Sequence, residues 1–438
     1  MILPITYEGR LVAMIEAEGD RCELRYSGDW LVAPDNFPVS LTMPIGETSF
    51  DAAIVIPWLM NLLPEGEPLR AMARALGAST EDVLGLVLET GGDLAGALAI
   101  GDHQASGEPD YRSLGDTAAL ERIINELPVR PFLADQEGVT MSLAGAQDKL
   151  PVALRDDQLT IPVNGAASTH ILKPDNSRLI GSVQNEAFCM VLARRVGLDT
   201  AAVTTGLAGD RSYLLVERYD RTGEEPVRRI HQEDFCQALG RPPSAKYQFN
   251  RAGRRGPSLP EMFALTREHM TALDLNRLLN AVIFNIAVGN VDSHAKNYSI
   301  SLLHKSPRLA PLYDLMTGLA WDGITSNHAQ EIGDQRRGLY IYGRHWQRFA
   351  KAAGLSPAGT LRRVEAITSR LLKELPAAAE EVTAMPAGAG PFLDMFVDAV
   401  GKRAAEVRVH AQVAGPDTQV TVDTTPSERG NEALAYST

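Results

Sequence analysis

The sequence predicts an α+β chain that is β-rich in its N-terminal part and all-α in its C-terminal lobe, and three observations lead there. Residues 1 to about 45 and 139 to 218 carry short runs of alternating apolar and polar side chains, punctuated by Gly, Asp and Pro, which is the pattern of strands and turns. Beyond Asp220 the apolar spacing changes to the period of helices. The 438 residues, 45% hydrophobic and 22% charged, suffice for two or three domains with a sizeable core.

Taken in order, LVAMIEAE and RCELRYS read as the first strands. From Ser49 to Leu98 helices take over: IVIPWLMNLL, then RAMARALG closed by Gly77, then STEDVLGLVLET, where Ser79 and Asp82 have the spacing of a capping box. QASGEPDYRS reads as a loop and DTAALERIINEL as a helix. LPVALR, THILKP and YLLVERY return to the strand pattern around one helix, NEAFCMVLARRVGL, which ends at Gly197. The helical half then comprises EDFCQALG, LNRLLNAVIFNIAVG, LRRVEAITSRLLKEL and FLDMFVDAVGKRAAEVRVHAQ. The polar end, GPDTQVTVDTTPSERGNEALAYST, reads as a mobile tail. These shifts place boundaries at 1–105, 106–221, 222–412 and a tail at 413–438.

Charge and cysteine usage narrow the function. A net charge of −13 argues against a broad electropositive surface, so direct nucleic-acid binding is not the expected main activity. The densest basic run, Arg251, Arg254 and Arg255, sits between Gly and Pro and reads as a solvated loop. No stretch reaches the ~20 apolar residues of a membrane span, and the N-terminus lacks a secretory pattern, so a cytoplasmic protein without membrane partners is expected. Cys22, Cys189 and Cys236 are far apart and read as small buried hydrophobes.

The segment GNVDSHAKNYSISLLHKSPRLAPLYDLM carries the chemistry. Asp292 and Asn297 lie five positions apart after a strongly apolar helix, the separation at which phosphoryl-transfer sites place a proton-accepting Asp and a metal-holding Asn. A hairpin turning at HKSP would return Asp314 to face Asn297, giving Mg²⁺ two oxygen ligands, with phosphate oxygens and water completing its octahedron. Between the two anchors, Lys296 is placed to neutralise charge on a transferred phosphoryl group and His294 to fix the loop backbone. The Asp–Asn spacing alone is common; its combination with the helix, the hairpin and the second Asp is much rarer.

Upstream, Lys173 ends the apolar run HIL, where its ammonium would reach nucleotide phosphates, and Glu186 opens the next helix as its partner. The ordinary alternative is a snorkelling lysine. Glu217 and Tyr219 lie where the chain crosses from the β-rich to the α-rich part and can offer backbone groups to adenine; Gln232 joins them as a nucleotide-binding candidate. TMSLAGAQDK is the candidate phosphate loop, through Ala144, Gly145, Ala146 and Gln147. It lacks the G-x-G-x-x-G pattern, although backbone amides between small residues can cradle phosphates. Ser142, at its edge, is expected within reach of a γ-phosphate.

Taken together, SLAGAQDKLPVAL, THILKPD, NEAFCMVLARRVGL, VERYDR, HQEDFCQALG, GNVDSHAKNYSI and LAPLYDL resemble the successive signatures of HipA-type toxin kinases, and NLLPEG resembles that family's N-terminal domain. The resemblance implies a two-lobed protein-kinase-like fold and an ATP- and Mg²⁺-dependent serine/threonine kinase. It implies Asp292 as catalytic base, Asn297 and Asp314 as Mg²⁺ ligands, Lys173 as the ATP-phosphate lysine, and Ser142 as an autophosphorylation site that switches the enzyme off. It further implies an aminoacyl-tRNA synthetase as substrate, growth arrest as outcome, and a helix-turn-helix antitoxin as the partner through which operator DNA is reached. Asp148 stands where the family often has Glu, and HAQEIGDQRRG is more polar than its counterpart. Two other readings compete. One is a metal-dependent phosphohydrolase using Asp292, His294 and Asp314; the other is a catalytically silent module that holds nucleotide and antitoxin.

Overall fold

A computed structural model describes residues 1–19, 21–103, 108–223, 226–251, 253, 255–302 and 306–415. Most of the expected tail, Arg254 of the basic run and part of the HKSP turn lie outside the described residues.

The chain opens with an antiparallel sheet of β1 (Ile2–Tyr7), β2 (Arg10–Glu18), β3 (Arg21–Tyr26), β4 (Ser49–Asp51) and β5 (Ala99–Ile100), in the order β4-β3-β2-β1-β5. Alternation in β1 and β3 buries Leu3, Ile5, Cys22, Leu24 and Tyr26 on one face. Four helices follow from the same stretch: α1 (Gly28–Val32), α2 (Ala52–Met60), α3 (Gly66–Leu76) and α4 (Val83–Thr90). Gly77 closes α3 in the left-handed region, as its position suggests. The expected capping box at Ser79 is corrected: Asp82 caps α4 by accepting from Gly85 N, while Ser79 Oγ accepts from Glu81 N in the preceding turn.

The second sheet has six strands, ordered β10-β11-β9-β7-β8-β6, all neighbours antiparallel. Its members are β6 (Asp110–Ser113), β7 (Leu150–Arg155), β8 (Gln158–Val163), β9 (His170–Pro174), β10 (Val203–Ala208) and β11 (Arg211–Glu217). The expectation of a loop through DYRS is overturned. Those four residues pair with Thr160–Val163, because an open edge on β8 rewards any backbone that can complete its ladder, whatever its polarity. Helix α5 (Thr117–Glu126), capped by Asp116, packs beside β10, and α6 (Ser182–Val196) ends at Gly197 in the left-handed region.

Beyond Glu217 the chain is mainly helical, with α7 (Phe235–Ala238), α8 (Leu259–His269), α9 (Ala272–Val288), α10 (Gly343–Ala352), α11 (Pro357–Thr383) and α12 (Pro391–Ala411). Small sheets are set into this lobe: β12 (Arg221–Thr222) with β13 (Arg228–Arg229), β14 (Gln232–Asp234) with β15 (Ser299–Ser301) and β16 (Arg308–Leu309), and β17 (Asn327–Ile332) with β18 (Gln335–Arg337). EDFCQALG, expected as a helix, is therefore the end of β14 and a single helical turn, since β15 needs a partner there. The three cysteines are buried and free. Among the described residues no helix is long and apolar enough to cross a membrane.

Two cores result. One runs from the first sheet into the second; the other fills the helical lobe and takes in α6. The parts are also joined by buried polar ties. Glu233 accepts from Ser40 Oγ at 2.5 Å and from Leu41 N at 2.8 Å, and His231 stacks on Phe37 at 5.0 Å. Asp93 meets Arg218 at 3.3 Å and Arg221 at 2.9 Å, Asp220 accepts from Gly96 N at 2.7 Å, and Arg218 Nη2 reaches Asp220 at 2.7 Å. Burial works against the Asp93 charge, but the arginines outweigh it and hold the carboxyl below its usual range.

Removing one partner of this network strands the others in a dry interior. Asp93→Asn is expected to lower unfolding free energy by about 3–5 kcal/mol in chemical denaturation, far more than Asp35→Asn in the exposed Arg10–Asp35 pair. Burial pushes the Glu233 carboxyl up to about 8 from 4.5, against its hydrogen bonds. A raised folded pKa means that the stabilisation is complete below the ordinary value and is lost as pH rises through about 8. The melting temperature should therefore fall more between pH 7 and 9 in the unmodified protein than in Glu233→Gln. Parallel falls would contradict this.

Candidate active site

Helix α9 aims the loop that carries Asp292 and Asn297. It starts on a capping box between Thr271 and Asp274 and stops at Gly289, whose φ of +71° and neighbour Leu319, only 2.4 Å from any added Cβ, admit no side chain. The turn that follows is fixed by side chains: Asn290 Nδ2 donates to Asn285 Oδ1 at 2.9 Å, and Asn290 Oδ1 accepts from Asp292 N at 3.1 Å. Asn297 Nδ2 then donates to the Asp292 carbonyl at 2.9 Å, closing the loop on itself and leaving Asn297 Oδ1 as an acceptor.

β9 and α6 supply the opposite wall. Lys173 Nζ donates to Glu186 Oε1 at 2.7 Å and to Asp314 Oδ1 at 2.8 Å, so one ammonium joins sheet, helix and the loop after β16. Burial opposes the Lys173 charge, but Asp314 and Glu186 outweigh it and raise its pKa. Burial likewise opposes ionisation of Asp314, yet Lys173 holds that carboxyl down to about 2. Asp314 carries φ +57°, a left-handed backbone unusual outside Gly. Asp292 has the opposite balance: burial pushes it up to about 7, while Lys246 and the Tyr247 hydroxyl that donates to its Oδ1 pull the other way.

Of the fifteen candidate residues singled out in the sequence, all but Glu186 and Ser142 line one cleft between the lobes. Lys173, Asp292, Asn297 and Asp314 lie at one end, with Ala144, Gly145, Ala146 and Gln147 above them. Glu217, Tyr219 and Gln232 line the hinge side, where the Tyr219 hydroxyl donates to Gln232 and its ring stacks on Tyr313 at 5.8 Å. His294 is buried edge-to-face against Tyr247, its Nδ1 has no hydrogen-bond partner, and burial pushes its pKa well below the usual imidazole value.

Two expectations meet a different geometry. Lys296 lines the cleft, but its ammonium donates to Asp234 Oδ2 at 2.8 Å, Asn61 Oδ1 at 2.7 Å and the Asn61 carbonyl at 3.1 Å, so its three hydrogens hold protein groups rather than await a phosphoryl group. Ser142 lies outside the cleft. It is fully buried, with its Oγ donating to the Leu62 carbonyl at 3.2 Å and its N to the Asp93 carbonyl at 3.2 Å.

Sequence reasoning missed Lys149, Lys246, Asn61, Glu65 and Asp234, all of which line the cleft. Lys149 Nζ donates to the Ala144 carbonyl at 2.6 Å, and burial lowers its pKa to about 8. Asn61 and Glu65 belong to NLLPEG, a segment recognised only as a whole, and nothing in single-sequence spacing links them to the catalytic loop.

The groups present suit a nucleotide with Mg²⁺. Gly145, with φ +108° and Lys149 Nζ 2.6 Å from any added Cβ, leaves a bare backbone beside an ammonium, which is what a phosphate needs. Asn297 and Asp314 offer two oxygen donors, few for a protein cage but right for Mg²⁺ that shares its shell with phosphates and water.

A strand lysine paired to a helix glutamate, an Asp–Asn loop and a second Asp, set in a cleft between a sheet lobe and a helical lobe, define a kinase-like fold. The model of the HipA-like C-terminal domain matches residues 141–379, and that of the HipA N-terminal domain residues 3–101. A Sinorhizobium fredii protein named as a kinase, Y4mE, is 38% identical over 93% of this chain and 99% of its own. The serine/threonine-protein kinase toxin HipA of Shewanella oneidensis is 30% identical over 84% of this chain and 86% of its own. The HipA structure solved from that organism with HipB and operator DNA superposes with a TM-score of 0.79 at 26% identity, covering 94% of this chain and 96% of that one. The chain belongs to the HipA family of kinase toxins.

Because Ser142 is fully buried with its Oγ against a backbone carbonyl, Ser142→Asp is expected to expel its loop. Limited proteolysis should then cut between residues 139 and 149, and melting temperature should fall by several degrees, whereas Ser142→Ala loses one hydrogen bond, about 1 kcal/mol.

Proposed function

We propose that this HipA-type kinase transfers the γ-phosphoryl group of ATP to a serine or threonine of a protein, with Mg²⁺ as cofactor. The observation that carries this is the single Lys173 ammonium shared by Glu186 and Asp314 across a cleft that also holds Asp292 and Asn297. In this reading Asp292 takes the proton of the acceptor hydroxyl, and a carboxyl poised near 7 both accepts and releases a proton readily. Lys173 binds nucleotide phosphates, the backbone of Ala144 to Gln147 covers them, and Glu217 to Tyr219 with Gln232 receives the base. Asn297 and Asp314 hold Mg²⁺, which supplies charge neutralisation on the phosphates. His294, buried edge-to-face against Tyr247, shapes the loop rather than moving protons.

The wider role follows the family. The protein is proposed to act in the cytoplasm as the toxin of a toxin–antitoxin pair, with an aminoacyl-tRNA synthetase as substrate and arrest of translation as result. A HipB-like helix-turn-helix antitoxin would carry it to operator DNA. The Shewanella oneidensis HipA–HipB–operator complex supports that partner, and the charge of −13 suits a toxin that needs a partner to touch DNA. Autophosphorylation of Ser142 is the proposed off-switch. Its burial under Leu62 supports a switch that works by opening, since a phosphoserine dianion has no place there. The phosphohydrolase reading is weaker: among the described residues no three His, Cys, Asp or Glu side chains gather to hold a metal.

The test is intact mass after incubation with Mg²⁺-ATP. One added phosphate is expected on the unmodified protein, mapped to Ser142 and absent from Ser142→Ala, Asp292→Asn and Asp314→Asn. Asp292→Asn should keep its melting temperature, Asp314→Asn should lose some stability with its bond to Lys173 weakened, and both should lose at least about 10²-fold in transfer to protein substrates in a cell lysate. Full activity in either would refute the assignment.

A further inference from the structure

Four lysines line the cleft, and three have duties the fold already defines. Lys173 joins Glu186 and Asp314, Lys296 holds Asp234 and Asn61, and Lys149 donates to the Ala144 carbonyl of the phosphate loop. The fourth, Lys246, is buried near the catalytic base and donates to Glu65 Oε2 at 2.8 Å. Its carbonyl accepts from Ala295 N at 3.1 Å, which fixes its backbone to the catalytic loop, and the next residue, Tyr247, donates its hydroxyl to Asp292.

Glu65 is an unusual partner. It comes from the N-terminal domain, 181 residues away, and its other oxygen, Oε1, is buried with no hydrogen-bond partner. Glu65 N also donates to the Gly145 carbonyl at 3.0 Å, so the same residue touches the phosphate loop and the lysine opposite it. Burial opposes its charge, but Lys246, Lys296 and Lys149 outweigh it and lower its pKa. Three lysines face this one carboxylate, and it is their positive charge that can receive a phosphate group.

We propose that Lys246 is a further catalytic residue, the cation that binds the transferred phosphoryl group, and that Glu65 holds it in place until nucleotide arrives. This rests on the phosphoryl-transfer reading above. In the reaction the bond from the β–γ bridging oxygen to the γ-phosphorus breaks, and a bond from the acceptor hydroxyl oxygen to that phosphorus forms. The hydroxyl proton passes to Asp292, and ADP leaves with the electron pair of the broken bond. Lys246 keeps its protons throughout and donates to the non-bridging oxygens, whose charge it offsets in the transition state.

The experiment is calorimetric titration of the full chain, with Mg²⁺, by ADP and by the non-hydrolysable β,γ-imido analogue of ATP. Variants are Lys246→Met, Lys246→Arg and the double Glu65→Gln/Lys246→Met, which leaves no buried charge unpaired should the single variant fold poorly. Expected is a preference of the unmodified protein for the analogue over ADP. That preference should fall about tenfold or more in Lys246→Met and in the double variant and be largely kept in Lys246→Arg, with ADP affinity unchanged, and transfer should slow about 10²–10³-fold. An unchanged preference in the double variant, or equal losses for both nucleotides, overturns the proposal. If the unmodified protein transfers no phosphate, the kinase reading fails instead, and the affinity ratio still judges Lys246.

Discussion

The network of Asp93, Arg218, Asp220 and Arg221 is the constraint on which the arrangement of the molecule depends. Two carboxylates and two guanidinium groups lie nearly out of water at the point where the second sheet hands the chain to the helical lobe. Asp93 comes from the N-terminal domain, and the other three flank Tyr219 at the hinge. Buried ions of this kind add little net stability over well-packed apolar groups, but each tolerates few partners and geometries, so they fix one relation between domain and hinge. Ser168, donating to Asp93 at 2.5 Å, extends the same restraint to the approach of β9, and therefore to Lys173.

What could be read in the sequence was what is encoded locally. Gly77, Gly197 and Gly289 each end a helix in the left-handed region, and the long helices of the second half carry their apolar periods openly. The Asp292–Asn297 loop was legible because both ends lie within six residues of one another. Lys173 and Glu186 were legible because only a short loop and the start of one helix separate them. Where the signal depends on a partner brought in from afar, it vanished. β6 is polar and becomes a strand only because β8 offers an edge, and Lys296 looks free until Asn61 arrives from 235 residues away.

The lysines of the cleft show how one residue type takes several roles. The ammonium groups differ in how many acceptors surround them, from one at Lys149 and Lys246 to three at Lys296, and that number sets what each can still do. Lys173 bridges two carboxylates and so reports whether α6 and the Asp314 loop are both in place. Lys296 is saturated by a carboxylate and an amide, and works as a rivet between the Asp292–Asn297 loop and the N-terminal domain. A domain whose sequence carries no catalytic motif thereby reaches the centre of the site.

The left-handed backbone of Asp314 has a consequence for which residues the position can accept. For most side chains that conformation costs roughly 1–2 kcal/mol, and only Gly, Asn and Asp adopt it with ease. In the proposed kinase reading, holding Mg²⁺ asks for a side-chain oxygen, while balancing Lys173 asks for a negative charge. Gly meets the first demand and neither of the others; Asn meets two; Glu offers the charge but not the backbone. Steric, coordination and charge requirements, acting independently, leave a single amino acid, so drift at this codon is expected to be closed in every direction.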